Sequence, residues 1–138
     1  MYWFVWYNKI GDIMNYFIEE LNHIVIKGEV IYRTINSYIN KLCIDNYSTL
    51  KGRILATKKK LNIKYNVPIY VNKKILLFKI KDSDRNYYIN YYKINDYDYS
   101  RGSIVIVFKD LEVLKISVSK KVFNDRMRLC ELIDREIE

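Results

Sequence analysis

Apolar residues recur at spacings of three and four near the C-terminal end, and mostly in short runs or alternation before it. Phe123, Met127, Cys130, Ile133 and Ile137 predict an amphipathic helix from about Lys120. On its other side Asp125, Arg128, Glu131, Arg135 and Glu138 alternate in sign, the pattern of a solvated, self-paired surface. Further upstream, Ile69-Tyr70-Val71 and Ile75-Leu76-Leu77-Phe78 read as paired strands around Asn72-Lys73-Lys74. Tyr87 through Ile94, Ile104 through Phe108 and Leu111 through Ile116 continue the strand pattern. Tyr16, Phe17, Glu19, Glu20 and Leu21 suggest one or two helical turns, followed by a hairpin of His23-Ile24-Val25-Ile26 and Val30-Ile31-Tyr32 meeting at Gly28. The run Ile35, Tyr38, Ile39, Leu42, Ile44 fits neither period decisively. Ser48 is the expected N-cap of a short helix carrying Leu50, Ile54, Leu55 and Leu61, with Gly52 marking a break or a close backbone approach. Val67-Pro68 closes it. The sum is an α+β fold: a mostly antiparallel sheet, a short basic helix and an amphipathic C-terminal helix.

A length of 138 residues suits one domain, and four Gly and one Pro speak against low complexity. The formal net charge of +8 favours a polyanionic partner. Ile, Lys, Asn and Tyr together supply 65 of 138 residues, so A/T-rich coding inflates lysine throughout. Coding bias does not explain clustering: Asn46 to Lys81 holds ten Lys or Arg and no Asp or Glu, whereas fourteen basic residues face all sixteen acids elsewhere. The excess positive charge therefore comes from one segment.

Candidate chemistry narrows the function. His23 is the single histidine, read as a packed core residue, and Cys43 and Cys130 stand far apart, expected as reduced thiols. No zinc spacing, phosphate loop, serine elbow or two-metal acidic cluster occurs, so neither an enzyme, a metal nor a cofactor is expected. Asp82 and Asp84 read as a solvated turn. The apolar run Tyr2 to Tyr7 is too short for a membrane span and lacks signal-peptide features, which predicts no secretion and no transmembrane helix, hence no membrane partner. Gly11-Asp12 before Met14 can be encoded as a ribosome-binding sequence, so residues 1–13 are expected to be a non-native leader. The alternative is an extra strand anchored by Trp3, Phe4 and Trp6, with 14–138 as a single domain in either case. The tyrosines at 87, 88, 91, 92, 97 and 99 suit cross-strand packing better than base stacking.

In the acid-free segment, Lys51, Arg53, Lys58, Lys59, Lys60 and Lys64 accompany hydroxyls at Ser48, Thr49 and Thr57. Those are the groups that contact phosphates. A solubilising lysine face is the plain alternative.

Cys43, then Gly52-Arg53, Thr57 and Pro68-Ile69 with Val71, in this order and spacing, resemble the competence transcription factor (ComK) family. Ser48-Thr49 stand where that family has paired serines. Phe78, Tyr88-Ile89-Asn90, Val107-Phe108 and Val118-Ser119 extend the resemblance across roughly Val30 to Leu132. Val67 replaces a second proline, Lys79-Ile80 follow Phe78 in place of Pro-Thr, and Tyr88 replaces a tryptophan, which suggests a divergent or shortened member. The resemblance implies a cytoplasmic activator of DNA-uptake genes that binds A/T-rich duplex boxes as a homo-oligomer, from the minor groove, with RNA polymerase as a further partner. Minor-groove readout fits the lack of a helix-turn-helix signal. On that reading Arg53 enters the groove, Lys51, Lys58, Lys59, Lys60 and Lys64 hold phosphates, Ser48, Thr49 and Thr57 donate hydrogen bonds, and Gly52 admits the backbone. The alternative is a protein-interaction adaptor that kept the fold without binding DNA.

Overall fold

The computed structural model describes residues 14–21 and 23–137. The described chain runs β1 (Tyr16–Glu20), β2 (His23–Ile26), β3 (Glu29–Ile31), α1 (Ile35–Ile44), α2 (Leu50–Leu61), β4 (Ile69–Asn72), β5 (Ile75–Asp82) and β6 (Arg85–Asn90). A single 3-10 turn (Tyr91–Lys93) leads into β7 (Ile94–Ser100), β8 (Ser103–Phe108), β9 (Val113–Ser117) and α3 (Lys120–Ile137). One sheet has the order β3-β2-β1-β6-β5-β4 and a second the order β7-β8-β9, every pairing antiparallel. This is the expected α+β class. The question of Trp3, Phe4 and Trp6 lies outside the described residues.

Two cores form because the six-stranded sheet is covered on both faces. Along β5, Ile75 and Leu77 join one core with Phe17, Tyr38, Ile39, Leu42 and Cys43. Leu76, Phe78 and Ile80 join the other with Ile104, Ile106, Phe108, Phe123, Cys130 and Ile133. A strand apolar on both faces loses its alternation, which explains the unbroken run from Ile75 to Phe78. The predicted hairpin forms with Lys27 at φ 50° and Gly28 at φ 80°, the left-handed pair that a two-residue turn between twisted strands requires.

Two local expectations are corrected here, and one undecided run is resolved. Tyr16 to Glu20 form a strand instead of a helical turn, because the segment pairs with β6 from Tyr16↔Ile89 to Glu20↔Arg85 and with β2 on its other side. Phe17 then packs into one core while Tyr16 and Ile18 lean on the other, a period of two. The ambiguous run becomes α1, capped by Thr34, whose hydroxyl accepts from the Ser37 amide at 3.2 Å, and anchored by buried Tyr38, Ile39, Leu42 and Cys43. Tyr87 to Ile94 is not one strand. It breaks at fully buried Asn90, where the chain passes from the first sheet to the second.

Asn90 is the polar knot of the interior. Its amide nitrogen donates to the carbonyls of Met14 (3.1 Å) and Lys74 (2.9 Å), and its side-chain oxygen accepts from the Leu76 amide at 3.1 Å. His23 is not a core residue: it lies partly exposed on β2, 3.3 Å from the Glu20 carboxylate. The tyrosines pack as expected. Tyr88 stacks on Phe17, while Tyr97 and Tyr99 set their rings edge-on against Phe123. Along β7, the carboxylates of Asp96 and Asp98 each accept from the next residue's amide, Tyr97 and Tyr99, at 2.8 Å. On α3, Asp125 pairs with Arg128 and Glu131 with Arg135, the self-paired face anticipated. Asp82 ends β5 and Asp84 lies in the following turn.

Candidate nucleic-acid interface

Helix α2 is held at its ends and along one side. After α1, the amides of Asn46, Tyr47 and Ser48 close onto the carbonyls of Cys43 and Ile44 at 2.9–3.0 Å. The chain then turns into α2, whose N-cap is Thr49 and not the expected Ser48: the Thr49 hydroxyl accepts from the Gly52 amide at 3.0 Å. Asn40 of α1 accepts the Leu50 amide at 2.9 Å, so one helix caps the other. Leu50 and Ile54 rest on one core and Leu61 on the other, yet no residue of α2 is fully buried. Asn62, left-handed at φ 53°, ends the helix.

This arrangement divides the expected site residues. Lys51, Lys58, Lys59, Lys60 and Lys64 are all exposed. Lys58, Lys59 and Lys60 occupy the last turn, where the carbonyl end of the helix favours cations, and Lys60 also lies 3.6 Å from Glu136 of α3. Lys51 and Lys58, about 10 Å apart along the axis, edge an open groove of about 710 Å³ between α1 and α2. Leu50, Ile54 and Leu55 line it, and Asn36, Ser37 and Asn40 of α1 join them.

The remaining candidates turn inward. Arg53, expected to enter a groove, donates from Nη2 to the Val71 carbonyl at 3.3 Å and lies 5.3 Å from the centre of the Tyr70 ring, which fastens α2 to β4. Its Nε is buried without a partner. Burial pushes the Cys43 thiol up, and the neighbouring Arg53 charge opposes that shift. The Thr57 hydroxyl donates to the Arg53 carbonyl at 3.0 Å and the Thr49 hydroxyl serves the cap. Ser48 is half-buried, its hydroxyl 3.5 Å from the Thr49 carbonyl. Gly52 does not break the helix; a Cβ there would stand 3.0 Å from the Thr49 hydroxyl oxygen, so the close approach is to its own cap. The amides of Leu50, Gly52 and Arg53 are likewise taken within the chain.

Two features of this surface go beyond the sequence expectations: the amide-rich wall of α1 and two tyrosines. Tyr47 and Tyr65 are 101 % and 78 % exposed, one just before α2 and one just after it, whereas the tyrosines weighed for stacking lie in the cores or against them. Their signal was position: both lie inside the acid-free segment. The basic helix also follows another helix directly, a helix–turn–helix succession for which the sequence carries no signal.

Among the described residues no three His, Cys, Asp or Glu side chains gather to hold a metal ion, and no helix is long and apolar enough to cross a membrane. The fold and this surface define an α+β protein that concentrates uncompensated cations on one exposed helix. The chain belongs to the ComK protein family, whose model matches residues 7–138, a longer stretch than the Val30 to Leu132 over which the resemblance was legible. That family is one of competence transcription factors, a non-enzymatic class. No curated protein and no solved structure matches the chain significantly.

Proposed function

We propose that the protein is a DNA-binding activator of competence genes that recognises A/T-rich duplex sites, with α2 as its phosphate-facing element. The observation that carries this reading is the exposure of Lys51, Lys58, Lys59 and Lys64 on and just after one helix of an acid-free segment, in a member of a transcription factor family. Lysines of this kind release counterions and set affinity. Ser48, Thr49 and Thr57 support α2 more than they offer free hydroxyls. Arg53 reaches a groove only by leaving Tyr70 and Val71, so its first role is to position the helix. A homo-oligomer on paired boxes, RNA polymerase and a cytoplasmic location complete this reading.

The α1–turn–α2 succession favours a second geometry, in which α2 enters the major groove as the later helix of a helical pair. Replacing A·T by I·C pairs separates the two, since this keeps the minor-groove groups of A·T and gives the major groove those of G·C. Minor-groove readout predicts unchanged affinity for the substituted duplex in a mobility-shift titration; a loss of tenfold or more assigns α2 to the major groove. Equal affinity for A/T-rich duplex, G/C-rich duplex and single strand removes site-specific regulation altogether, and no binding at low salt leaves the adaptor reading.

A further inference from the structure

Where β5 runs on past the end of β4, α1, α2, the loop after α2 and α3 line a cavity of about 270 Å³ with Asn36, Asn66, Lys79, Tyr88 and Arg126 among its lining residues. Its apolar walls include Ile39, Leu50, Ile54 and Leu77, and no carboxylate lines it. The polar groups are uncommitted. Tyr88 is only 7 % exposed, whereas Asn36, Asn66 and Lys79 reach the cavity from the exposed surface; the Tyr88 hydroxyl, the side-chain amides of Asn36 and Asn66 and the ammonium of Lys79 have no hydrogen-bond or ion-pair partner among the described residues. Arg126 uses Nε on the Lys79 carbonyl and Nη1 on Asp125, both at 3.3 Å, which leaves Nη2 unassigned. Uncommitted donors that converge around apolar walls, with two cations and no acid to compete, suit a ligand that accepts from them.

We infer that this cavity binds a small anion of the phosphate class, with Lys79 and Arg126 supplying charge and Tyr88, Asn36 and Asn66 supplying hydrogen bonds. The donor set contains two cations, two amides and one hydroxyl, and lacks any acid that would favour a metal or an amine. The volume admits an inorganic pyrophosphate or a sugar phosphate and is small for a larger cofactor. The same chemistry has a second source, a phosphodiester of bound DNA. The near-complete burial of Tyr88 at the inner end of the site favours the free anion.

Titrating the full chain with sodium pyrophosphate by calorimetry, at ionic strength matched with chloride, tests the inference without any nucleic acid. Saturable one-to-one binding is expected, weakened at least threefold in Tyr88→Phe and lost in the double variant Lys79→Met with Arg126→Met. Lys115→Met, an exposed lysine on β9, is expected to bind as the parent does. Phosphorus NMR line broadening of pyrophosphate provides a second measure if a variant precipitates at calorimetric concentrations. Absence of saturable binding, or equal weakening by Lys115→Met, overturns the site. If pyrophosphate fails to bind while the double variant weakens duplex binding, the cavity receives a DNA phosphate and the free-anion assignment is wrong. Failure of duplex binding alone leaves the pyrophosphate result standing on its own.

Discussion

Asn90 joins three segments with one side chain: the start of β1 through Met14, the β4–β5 turn through Lys74, and β5 through Leu76. Truncation to alanine strands two carbonyls and two amides, those of Leu76 and Tyr92, each worth about 1–3 kcal/mol when buried and unsatisfied. Asn90→Ala should therefore lower stability by on the order of 3 kcal/mol or more, read from the midpoint of urea unfolding. The N-cap of α2 gives a finer test. Thr49→Ala should cost about 1 kcal/mol and Ser48→Ala only a few tenths, because only the Thr49 hydroxyl serves a helix amide. That one-residue shift was not legible beforehand: Ser48 and Thr49 are both good caps, and the choice depends on α1, whose Asn40 accepts the Leu50 amide and fixes where α2 begins. Arg53→Ala removes the tether to Tyr70 and Val71 but also the buried, unpaired Nε. The opposed effects predict a stability loss of about 1 kcal/mol, with any loss of DNA affinity following from a displaced helix.

Among elements, α2 sits at the boundary between structure and proposed function. Lysines near its carbonyl end serve the helix dipole even when no ligand is present, so charge reversal there tests two roles at once. Neutral truncation is cleaner. Lys58→Ala and Lys59→Ala should each flatten the slope of log affinity against log salt by about one unit, with little change in the preference among sequences. Gly52→Ala gains up to about 1 kcal/mol in helix propensity and crowds the Thr49 hydroxyl, so its net effect should stay within about 0.5 kcal/mol of zero in the same urea assay. The strands of β4, β5 and β8 and the helix α3 could be read from spacing because their apolar pattern agrees with their burial. Helix α1 could not, since its isoleucines suit a strand equally well and Thr34 is a weak signal alone. Segment β1 misled for the opposite reason: Glu19 and Glu20 resemble a helical turn, and only pairing with β6 and β2 decides the matter. The basic patch was legible as charge, but which of its members face outward depends on α2 leaning on β4.

At the scale of the whole molecule, the two cores hold several acidic protons out of water. Burial raises the Tyr38, Tyr88, Cys43 and Cys130 values above the ordinary 10.0 for tyrosine and 9.0 for cysteine, with Tyr88 pushed up to about 12. In the unfolded chain these groups ionise earlier, so between the two values the unfolded state holds fewer protons and gains on the folded one. Their contribution is complete below about pH 9 and falls as pH rises toward 12, by up to about 1.4 kcal/mol per pH unit for each group. A melting temperature that is flat from pH 7 to 9 and drops steeply above 10 is expected, and less steeply in Tyr88→Phe.

The acidic residues missing from the segment around α2 appear elsewhere, and β7 shows one use for them. Asp96 and Asp98 fold back onto the Tyr97 and Tyr99 amides along β7, the end strand of the three-stranded sheet among the described residues. A chain this rich in isoleucine and tyrosine carries a standing hazard of polymerisation through bare strand edges. Two carboxylates that occupy their own backbone donors, and repel an approaching copy with the same charges, close that route. Changes at Asp96 and Asp98 should therefore first show as light scattering that grows with concentration, before any loss of folded structure.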